Sequence, residues 1–233
     1  MDLAQAKVLI TGGSSGIGKE TARMLIQKGA KVVICARHEA KLQSAAKEIG
    51  AIPIRADIQN ENEVVDLVNK ANKEMGGYNV LINNAAYGYF AKLTEVDLSR
   101  LNDLIATNIT GTILVARESA KIFTDQKYGN IINIGSTAGK KGFAGGTPYA
   151  ASKFAVNALT ECWRSELRSF NVRVMQVNPS EVITNFADTA GHGQVDNPSK
   201  LRPEDIAHTI ASLLEMHDRG FITDTTVWAT NPQ

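Results

Sequence analysis

The feature that most constrains this chain is a regular alternation between short β-branched runs and longer segments whose apolar residues follow a helical spacing. The runs that are rich in valine and isoleucine lie at residues 8–10, 32–34, 52–54, 80–82, 131–134 and 172–177. The segments between them are too long for hairpin turns, so consecutive strands should run parallel. The alternation predicts an α/β fold with a doubly wound parallel sheet and helices on both faces.

The length of the chain agrees with a single domain of this kind. With 233 residues it can bury one substantial core, and we interpret residues 1–233 as one domain. A helix beginning near Pro203 and a strand near residues 225–229 would bring the sheet to about seven strands. The irregular stretch 185–202 is predicted to be a loop that contacts substrate.

The charge and composition exclude several classes of function. A net charge of +1 provides no broad field for nucleic acid or an anionic membrane. No apolar run approaches the roughly 20 residues that span a bilayer, and the first strand begins too early for a leader, so we expect a cytoplasmic protein. The two cysteines, Cys35 and Cys162, are predicted to be buried free thiols. The histidines are scattered along the chain and suggest no metal site. They are His38, His192, His208 and His217.

A glycine-rich turn follows the first strand, at residues 11–18. It has the spacing Gly-x3-Gly-x-Gly, with Gly12, Gly16 and Gly18 at the start of the first helix. Glycines at such a junction let the backbone approach a pyrophosphate, while free N–H groups at the helix start bind its charge. Alternatively, the turn needs glycine only for its dihedral angles.

The end of the second strand indicates which nucleotide would bind. A carboxylate there would hydrogen-bond a ribose hydroxyl and repel a phosphate, but the chain has Ala36 followed by Arg37. The planar fork of Arg37 suits a 2′-phosphate, so NADP(H) is preferred to NAD(H). The alternative is that Arg37 is a solvated residue at the start of the next helix.

A second group of residues has the chemistry of proton transfer. Tyr149 and Lys153 are four residues apart and would share one face of a helix, where a cation can lower the pKa of a phenol. Taken alone, such a pair is usually a surface feature. Ser136, however, follows the strand at 131–134, at the edge where an open α/β sheet binds its ligands.

Together these elements resemble the short-chain dehydrogenase/reductase family over nearly the whole chain, and most of all its 3-oxoacyl-(acyl-carrier-protein) reductases. The resemblance implies a Rossmann-like fold and NADP(H)-dependent interconversion of a carbonyl and a secondary alcohol. It implies that Ser136 orients the carbonyl, that Tyr149 transfers the proton, and that Lys153 contacts the nicotinamide ribose and acidifies the tyrosine. Asn108 resembles the asparagine that holds a water leading from the lysine to solvent.

The same resemblance assigns the cofactor-binding residues. They are Gly12, Ser14, Ser15, Gly16, Ile17, Gly18, Arg37, Asp57, Ile58, Asn84, Ala85, Tyr149, Lys153, Pro179, Val182 and Thr184. Two positions depart from the family pattern, since Ala86 and Ser180 each stand where the family has glycine. The resemblance also implies a homotetramer or homodimer whose interfaces use the helices that contain Asn108 and Tyr149 and the last strand.

The sequence identifies the substrate less well. Aromatic candidates for the pocket are Tyr87, Tyr89, Phe90, Phe143 and Phe186, and basic candidates for contact with an acidic carrier or coenzyme A are Lys127, Lys140, Lys141, Arg164 and Arg168. The aromatic residues suggest an apolar or amphipathic carbonyl compound, and the resemblance in length and layout implies a 3-oxoacyl thioester. The alternatives are another small ketone, sugar or hydroxy acid, a protein that senses NADP(H) without turnover, and a purely structural protein.

Overall fold

Seven parallel strands form the central sheet of the computed structural model, which describes residues 1–184, 186, 197 and 199–231. The strands are β1 (Lys7–Thr11), β2 (Lys31–Ala36), β3 (Ile52–Arg55), β4 (Val80–Asn83), β5 (Gly129–Ile134), β6 (Val172–Pro179) and β7 (Asp224–Val227). Their order across the sheet is β3-β2-β1-β4-β5-β6-β7, and every neighbouring pair is parallel. The predicted doubly wound sheet of about seven strands is confirmed.

Helices connect the strands and cover both faces. They are α1 (Gly16–Gln27), α2 (Glu39–Ile49), α3 (Glu61–Met75), α4 (Leu98–Ile105), α5 (Thr112–Asp125), α6 (Thr147–Leu167) and α7 (Pro203–Glu215). A π-helical turn, Ala106–Gly111, joins α4 to α5. The predicted start of a helix at Pro203 is confirmed, because proline lacks an N–H and suits the first helical turn.

The strands bury side chains on both sides of the sheet, as the period of two requires. Val8 and Ile10 pack with residues of α1, α2 and α7, whereas Leu9 between them packs with residues of α3, α5 and α6. All three are fully buried. Burying an aliphatic side chain of this size contributes roughly 1.5–3 kcal/mol, so the register of β1 is firmly set and its carboxyl end is fixed at one edge.

The two cysteines differ in burial. Cys35 is buried in β2, as predicted, but Cys162 is exposed. The prediction for Cys162 is wrong because α6 turns Val156 and Thr160 inward and leaves Cys162 on its solvent side. Most of the predicted loop at 185–202 lies outside the described residues.

Candidate active site

A cavity of about 1000 Å³ opens at the carboxyl edge of the sheet, with walls from the segments that follow β1 to β6. In open α/β sheets this edge is where ligands bind. The predicted site residues that line it are Gly12, Ser14, Ser15, Gly16, Ile17, Arg37, Asp57, Ile58, Asn84, Ala85, Ser136, Tyr149, Lys153, Pro179, Val182 and Thr184. Gly18 and Asn108, which sequence reasoning also placed in the site, lie behind the wall.

The glycine-rich turn forms a backbone surface that a side chain would fill. Gly12 has φ +68°, and a Cβ there would lie 2.8 Å from the Ala85 Cα. A Cβ at Gly18 would lie 2.5 Å from the Asn84 Nδ2, so Gly18 makes room for this amide instead of touching a ligand. The helix α1 starts at Gly16, which directs its free N–H groups into the cavity. The turn therefore has the shape and charge that a pyrophosphate requires.

Asn84, at the end of β4, holds this turn in place. Its Nδ2 donates to the carbonyl oxygens of Thr11 at 2.9 Å and Gly12 at 3.1 Å. The Thr11 Oγ1 accepts from the N–H groups of Asn84 at 3.0 Å and Ala85 at 3.1 Å. These four bonds couple the ends of two neighbouring strands, so the shape of the turn depends on β4 as much as on its own glycines.

Two cations lie beside the end of β2. Arg37 and Lys41 both line the cavity and are exposed. Within the described part of the chain, neither side chain makes an ion pair. Sequence reasoning missed Lys41, which lies in the first turn of α2, four residues after Arg37. The two side chains are available for an anionic group at this end of the cavity.

Ser136, Tyr149 and Lys153 meet at the opposite end. Ser136 directly follows the Gly135 that extends β5, and its hydroxyl accepts from the Ala138 N–H at 3.1 Å. Tyr149 and Lys153 project from the first two turns of α6. The Lys153 Nζ donates to the Ile134 carbonyl oxygen at 2.9 Å and lies 5.7 Å from the centroid of the Tyr149 ring. A hydroxyl, a phenol and an ammonium thus line the same end of the cavity.

Burial determines the acidity of these groups. It raises the pKa of Tyr149 to about 12, although the hydrogen bond with Ser136 opposes the rise. Burial also lowers the pKa of Lys153 to about 8. Burial thus dominates the pKa of Tyr149 among the protein's own groups, and the expectation that Lys153 and the oxidised nicotinamide lower it stays a prediction.

Asn108 lies in the π-helical turn and is buried, so it is not a surface amide. Its Oδ1 accepts from the Tyr87 N–H at 2.7 Å, and its Nδ2 donates to the Tyr87 carbonyl and the Ser152 Oγ, each at 3.1 Å. The Ser152 hydroxyl in turn donates to the Tyr149 carbonyl at 2.8 Å. The side chain of Asn108 thus joins the segment after β4 to the helix that carries Tyr149. Sequence reasoning missed Ser152.

Aromatic rings surround Tyr149. Its ring centroid lies 4.9 Å from that of Phe90 and 5.6 Å from that of Phe186, and Phe143 lies 6.2 Å from Phe90. These three phenylalanines line the cavity. They give its end near Tyr149 an apolar wall.

Tyr87 and Tyr89, the other two aromatic candidates, do not line the cavity. Tyr89 is buried, and its hydroxyl accepts from the Asp97 N–H at 2.6 Å. The prediction that Tyr87 and Tyr89 line the pocket is wrong, because of the three aromatic residues after β4 only Phe90 lies in the cavity wall.

The segment after β6 closes the far wall. Pro179, Ser180, Val182 and Thr184 line the cavity, and the Ser180 N–H donates to the Val227 carbonyl at 2.8 Å. A Cβ at Gly16 would lie 3.3 Å from the Thr184 Cγ2, so this segment reaches the glycine-rich turn. Ser180 therefore takes the place of glycine without opening the wall.

Comparisons with known proteins agree with this geometry. The sequence model of a family described as short chain dehydrogenase matches residues 6–194. An NADP-dependent 3-hydroxy acid dehydrogenase of Schizosaccharomyces pombe is 33% identical over 240 residues, with 96% of this chain and 92% of the relative covered.

Solved structures are similar over the same extent. A serine dehydrogenase complexed with NADP+ has a TM-score of 0.90 and 27% identity, with 94% of this chain and 93% of that one covered. A 3-ketoacyl-(acyl-carrier-protein) reductase from Brucella melitensis complexed with NADH has a TM-score of 0.89 and 26% identity, with 97% and 98% covered.

The chain belongs to the short-chain dehydrogenase family and is an oxidoreductase. Its neighbours act on different compounds, so the resemblance holds for the family and does not single out the 3-oxoacyl reductases. None of the described helices is long and apolar enough to cross a membrane. Among the same residues, no group of three or more His, Cys, Asp and Glu could hold a metal ion.

Proposed function

We propose that this protein is an NADP(H)-dependent oxidoreductase that interconverts a carbonyl and a secondary alcohol, with Tyr149 as the general acid and base. The observation that carries the proposal is the convergence of Ser136, Tyr149 and Lys153 on the cavity that also contains the glycine-rich turn. A hydroxyl after β5, and a phenol and a buried lysine from α6, serve no packing purpose at one end of the cavity, but they suit proton transfer to a carbonyl oxygen.

The cavity fits the cofactor. The backbone at Gly12 leaves no space for a Cβ, and the start of α1 offers N–H groups to a pyrophosphate. Arg37 and Lys41 would hold a 2′-phosphate, and no carboxylate ends β2 to repel it. The other residues that would hold the cofactor are those of the predicted set that line the cavity. NADP(H), when bound there, supplies or accepts a hydride.

The protein's own groups handle the proton. In reduction, the hydroxyls of Ser136 and Tyr149 donate hydrogen bonds to the substrate oxygen, which stabilises the negative charge that develops on it. Tyr149 then transfers its proton to this oxygen. A pKa of about 12 keeps the phenol protonated at neutral pH, ready to donate. Lys153, with a pKa of about 8, returns a proton to the phenolate.

Asn108 is proposed to hold the water that links Lys153 to solvent. Its side-chain amide is already bonded to Tyr87 and Ser152. We therefore assign this role to its main-chain carbonyl, which lies in a π-helical turn. Turns of this kind displace carbonyl groups from the regular helical pattern and are frequent at functional sites.

The substrate is proposed to be an acyl compound with an oxygen on carbon 3. The named neighbours share this feature, since one is a 3-hydroxy acid dehydrogenase, serine carries its hydroxyl on carbon 3, and the third reduces a 3-ketoacyl group. The 3-oxoacyl thioester expected from the sequence is one member of this class. The family resemblance further supports a homotetramer or homodimer, and a cytoplasmic location stays a prediction.

The experiment mixes the protein with NADPH or NADP+ and a panel of free ketones, acyl thioesters, sugars and hydroxy acids, and follows cofactor absorbance. Tyr149→Phe should retain NADPH affinity and lose turnover by roughly 10²–10⁴-fold, because it removes the transferred proton. Tyr128→Phe is the matched control, since Tyr128 precedes β5 at the opposite edge of the sheet. Bound NADPH with no turnover across the panel would refute the enzymatic function.

A further inference from the structure

We propose that Lys141 binds the carboxylate of a free 3-oxo or 3-hydroxy acid, so that this enzyme acts on the acid anion in preference to a thioester. The inference rests on the proposed function and narrows its substrate class. It also makes Lys141 a specificity-determining residue.

Lys141 lies between Ser136 and Tyr149 in the chain, so the elements that carry these two residues fix its position. It follows the short helix Thr137–Gly139 that Ser136 caps, and it precedes the helix that carries Tyr149. Its N–H donates to the Thr137 carbonyl at 3.3 Å. The side chain is exposed and lines the same cavity as Ser136 and Tyr149. An ammonium at this position is available to a substrate that occupies the end of the cavity near Ser136 and Tyr149.

The other cations near this end of the cavity already have partners. The Lys153 Nζ is buried and donates to the Ile134 carbonyl. Lys140 forms an ion pair with Asp224 at 2.7 Å. Within the residues that the structure describes, Lys141 forms no ion pair. It is therefore available to an anion from solution.

The acidic side chain on the same wall does not neutralise Lys141. Glu181 lines the cavity, but its carboxylate is bound by Lys200 at 2.7 Å. Arg37 and Lys41 lie at the other end, after β2, where the proposed 2′-phosphate would engage them. Lys141 is thus the cation in the cavity lining that is left for the substrate, apart from those assigned to the cofactor.

Three of the basic residues that the sequence suggested for an acidic carrier, Lys127, Arg164 and Arg168, lie away from Lys141 towards the far end of α6. Arg168 lies beyond the last residue of α6, about 28 Å along the helix from Tyr149 at 1.5 Å per residue. Lys127 lies at that same distant end, since its carbonyl accepts from the Asn171 Nδ2 at 3.4 Å. Arg164 donates to the carbonyls of Val174 and Thr223. Of the five suggested residues, Lys141 alone lines the cavity, and its chain neighbour Lys140 is paired with Asp224, so this set does not form the continuous basic patch that the sequence suggested for a carrier.

The other side chains near Tyr149 indicate the chemical character of the rest of the substrate. Phe90, Phe143 and Phe186 surround Tyr149 with apolar rings. A substrate bound at Tyr149 would thus meet both apolar rings and the Lys141 ammonium. This pattern fits a short, apolar carboxylate with its oxygen on carbon 3 better than a sugar.

The test compares 3-hydroxybutanoate with its methyl ester, which differs in charge but not in the reacting alcohol. The variants are Lys141→Met, Lys141→Arg and the control Lys140→Met. With NADP+, wild type should have a kcat/KM about tenfold higher for the acid than for the ester, the expected size of one exposed charge-assisted hydrogen bond. Lys141→Met should raise KM for the acid about tenfold with kcat little changed, because the lost contact is made equally in the ground and transition states.

The ester should be unaffected by Lys141→Met, and Lys141→Arg and Lys140→Met should retain the preference for the acid. Equal use of ester and acid by wild type, or an equal rise of both KM values in Lys141→Met, would overturn the role of Lys141 while the proposed function stands. Absence of turnover with both compounds, while another compound of the panel is converted, would overturn the proposed substrate class and the role of Lys141 but not the oxidoreductase activity. Absence of turnover across the whole panel, although NADPH binds, would overturn both proposals.

Discussion

Lys153 is a buried cation, and its energetic cost to the folded protein can be measured. Replacing it by methionine, which has a similar length and no charge, should abolish turnover and stabilise the protein at neutral pH. The reason is that the folded state holds an ammonium away from water at 4% exposure, which the unfolded chain does not.

The size of the effect follows from the pKa. Burial moves the pKa of Lys153 from 10.5 to about 8, and a tenfold change in acidity is worth about 1.4 kcal/mol, so the charged group costs the folded state about 3 kcal/mol. Methionine loses the hydrogen bond to the Ile134 carbonyl, worth about 1 kcal/mol. The net gain should be about 2 kcal/mol, or about 6 °C in Tm for a chain of this size.

The stability that Lys153→Met gains over wild type should decrease as the pH rises. Between pH 8 and 10.5 the unfolded chain keeps the lysine proton and the folded protein does not, so the stability of wild type rises with pH in this window. The advantage of Lys153→Met should therefore shrink as the pH approaches 10.5. Tyr149, whose pKa is raised to about 12, has the opposite slope above pH 10, but it is common to both proteins and cancels.

The assay is urea unfolding at pH 7 and pH 10, followed by the fluorescence of the two tryptophans. Lys140→Met serves as the control, because an exposed ion pair contributes only about 0–1 kcal/mol. A Lys153→Met protein that is no more stable than wild type at pH 7, or that keeps the same advantage at pH 10, would show that the buried charge is not the cause.

Two further predictions concern the binding of the cofactor by Arg37 and the hydrogen bond between Asn108 and Ser152 of α6. Arg37→Asp should raise the Kd of NADPH at least about 100-fold and that of NADH only a few-fold, as measured by fluorescence titration, since it replaces a phosphate-binding group by a repelling one. Equal effects on the two nucleotides would remove Arg37 from the 2′-phosphate. Ser152→Ala should lower the free energy of unfolding by about 1–3 kcal/mol, because one buried N–H of Asn108 loses its acceptor. Unchanged stability in urea would contradict this account.

The layered fold could be predicted from the sequence because its signals are local. Each β-branched run is flanked by turn residues and followed by a helical spacing, and the hydrophobic effect forces both patterns into one doubly wound sheet. Residues of the site could be predicted equally well where they directly follow a strand. Ser136 and Arg37 are placed in this way, since strand ends meet at one edge.

Properties that depend on contacts between distant segments could not be predicted. The amide of Asn108 is bonded to residues 21 and 44 positions away, so its bracing role has no local signal. The pKa of Tyr149 depends on how deeply its hydroxyl is buried, which spacing does not reveal. The exposure of Cys162 likewise depends on which face of α6 meets the sheet.

The bonds from Asn84 to Thr11 and Gly12 have a consequence for how the protein is made. The glycine-rich turn lies within the first twenty residues, yet the Asn84 side-chain amide that fixes its shape is synthesised some seventy residues later. A chain emerging from the ribosome can form β1, α1 and β2 from local contacts, but it cannot hold the turn until β4 has inserted beside β1. Capture of nucleotide should therefore report that the centre of the sheet has assembled, and a fragment that ends before β4 should not be retained on a nucleotide resin.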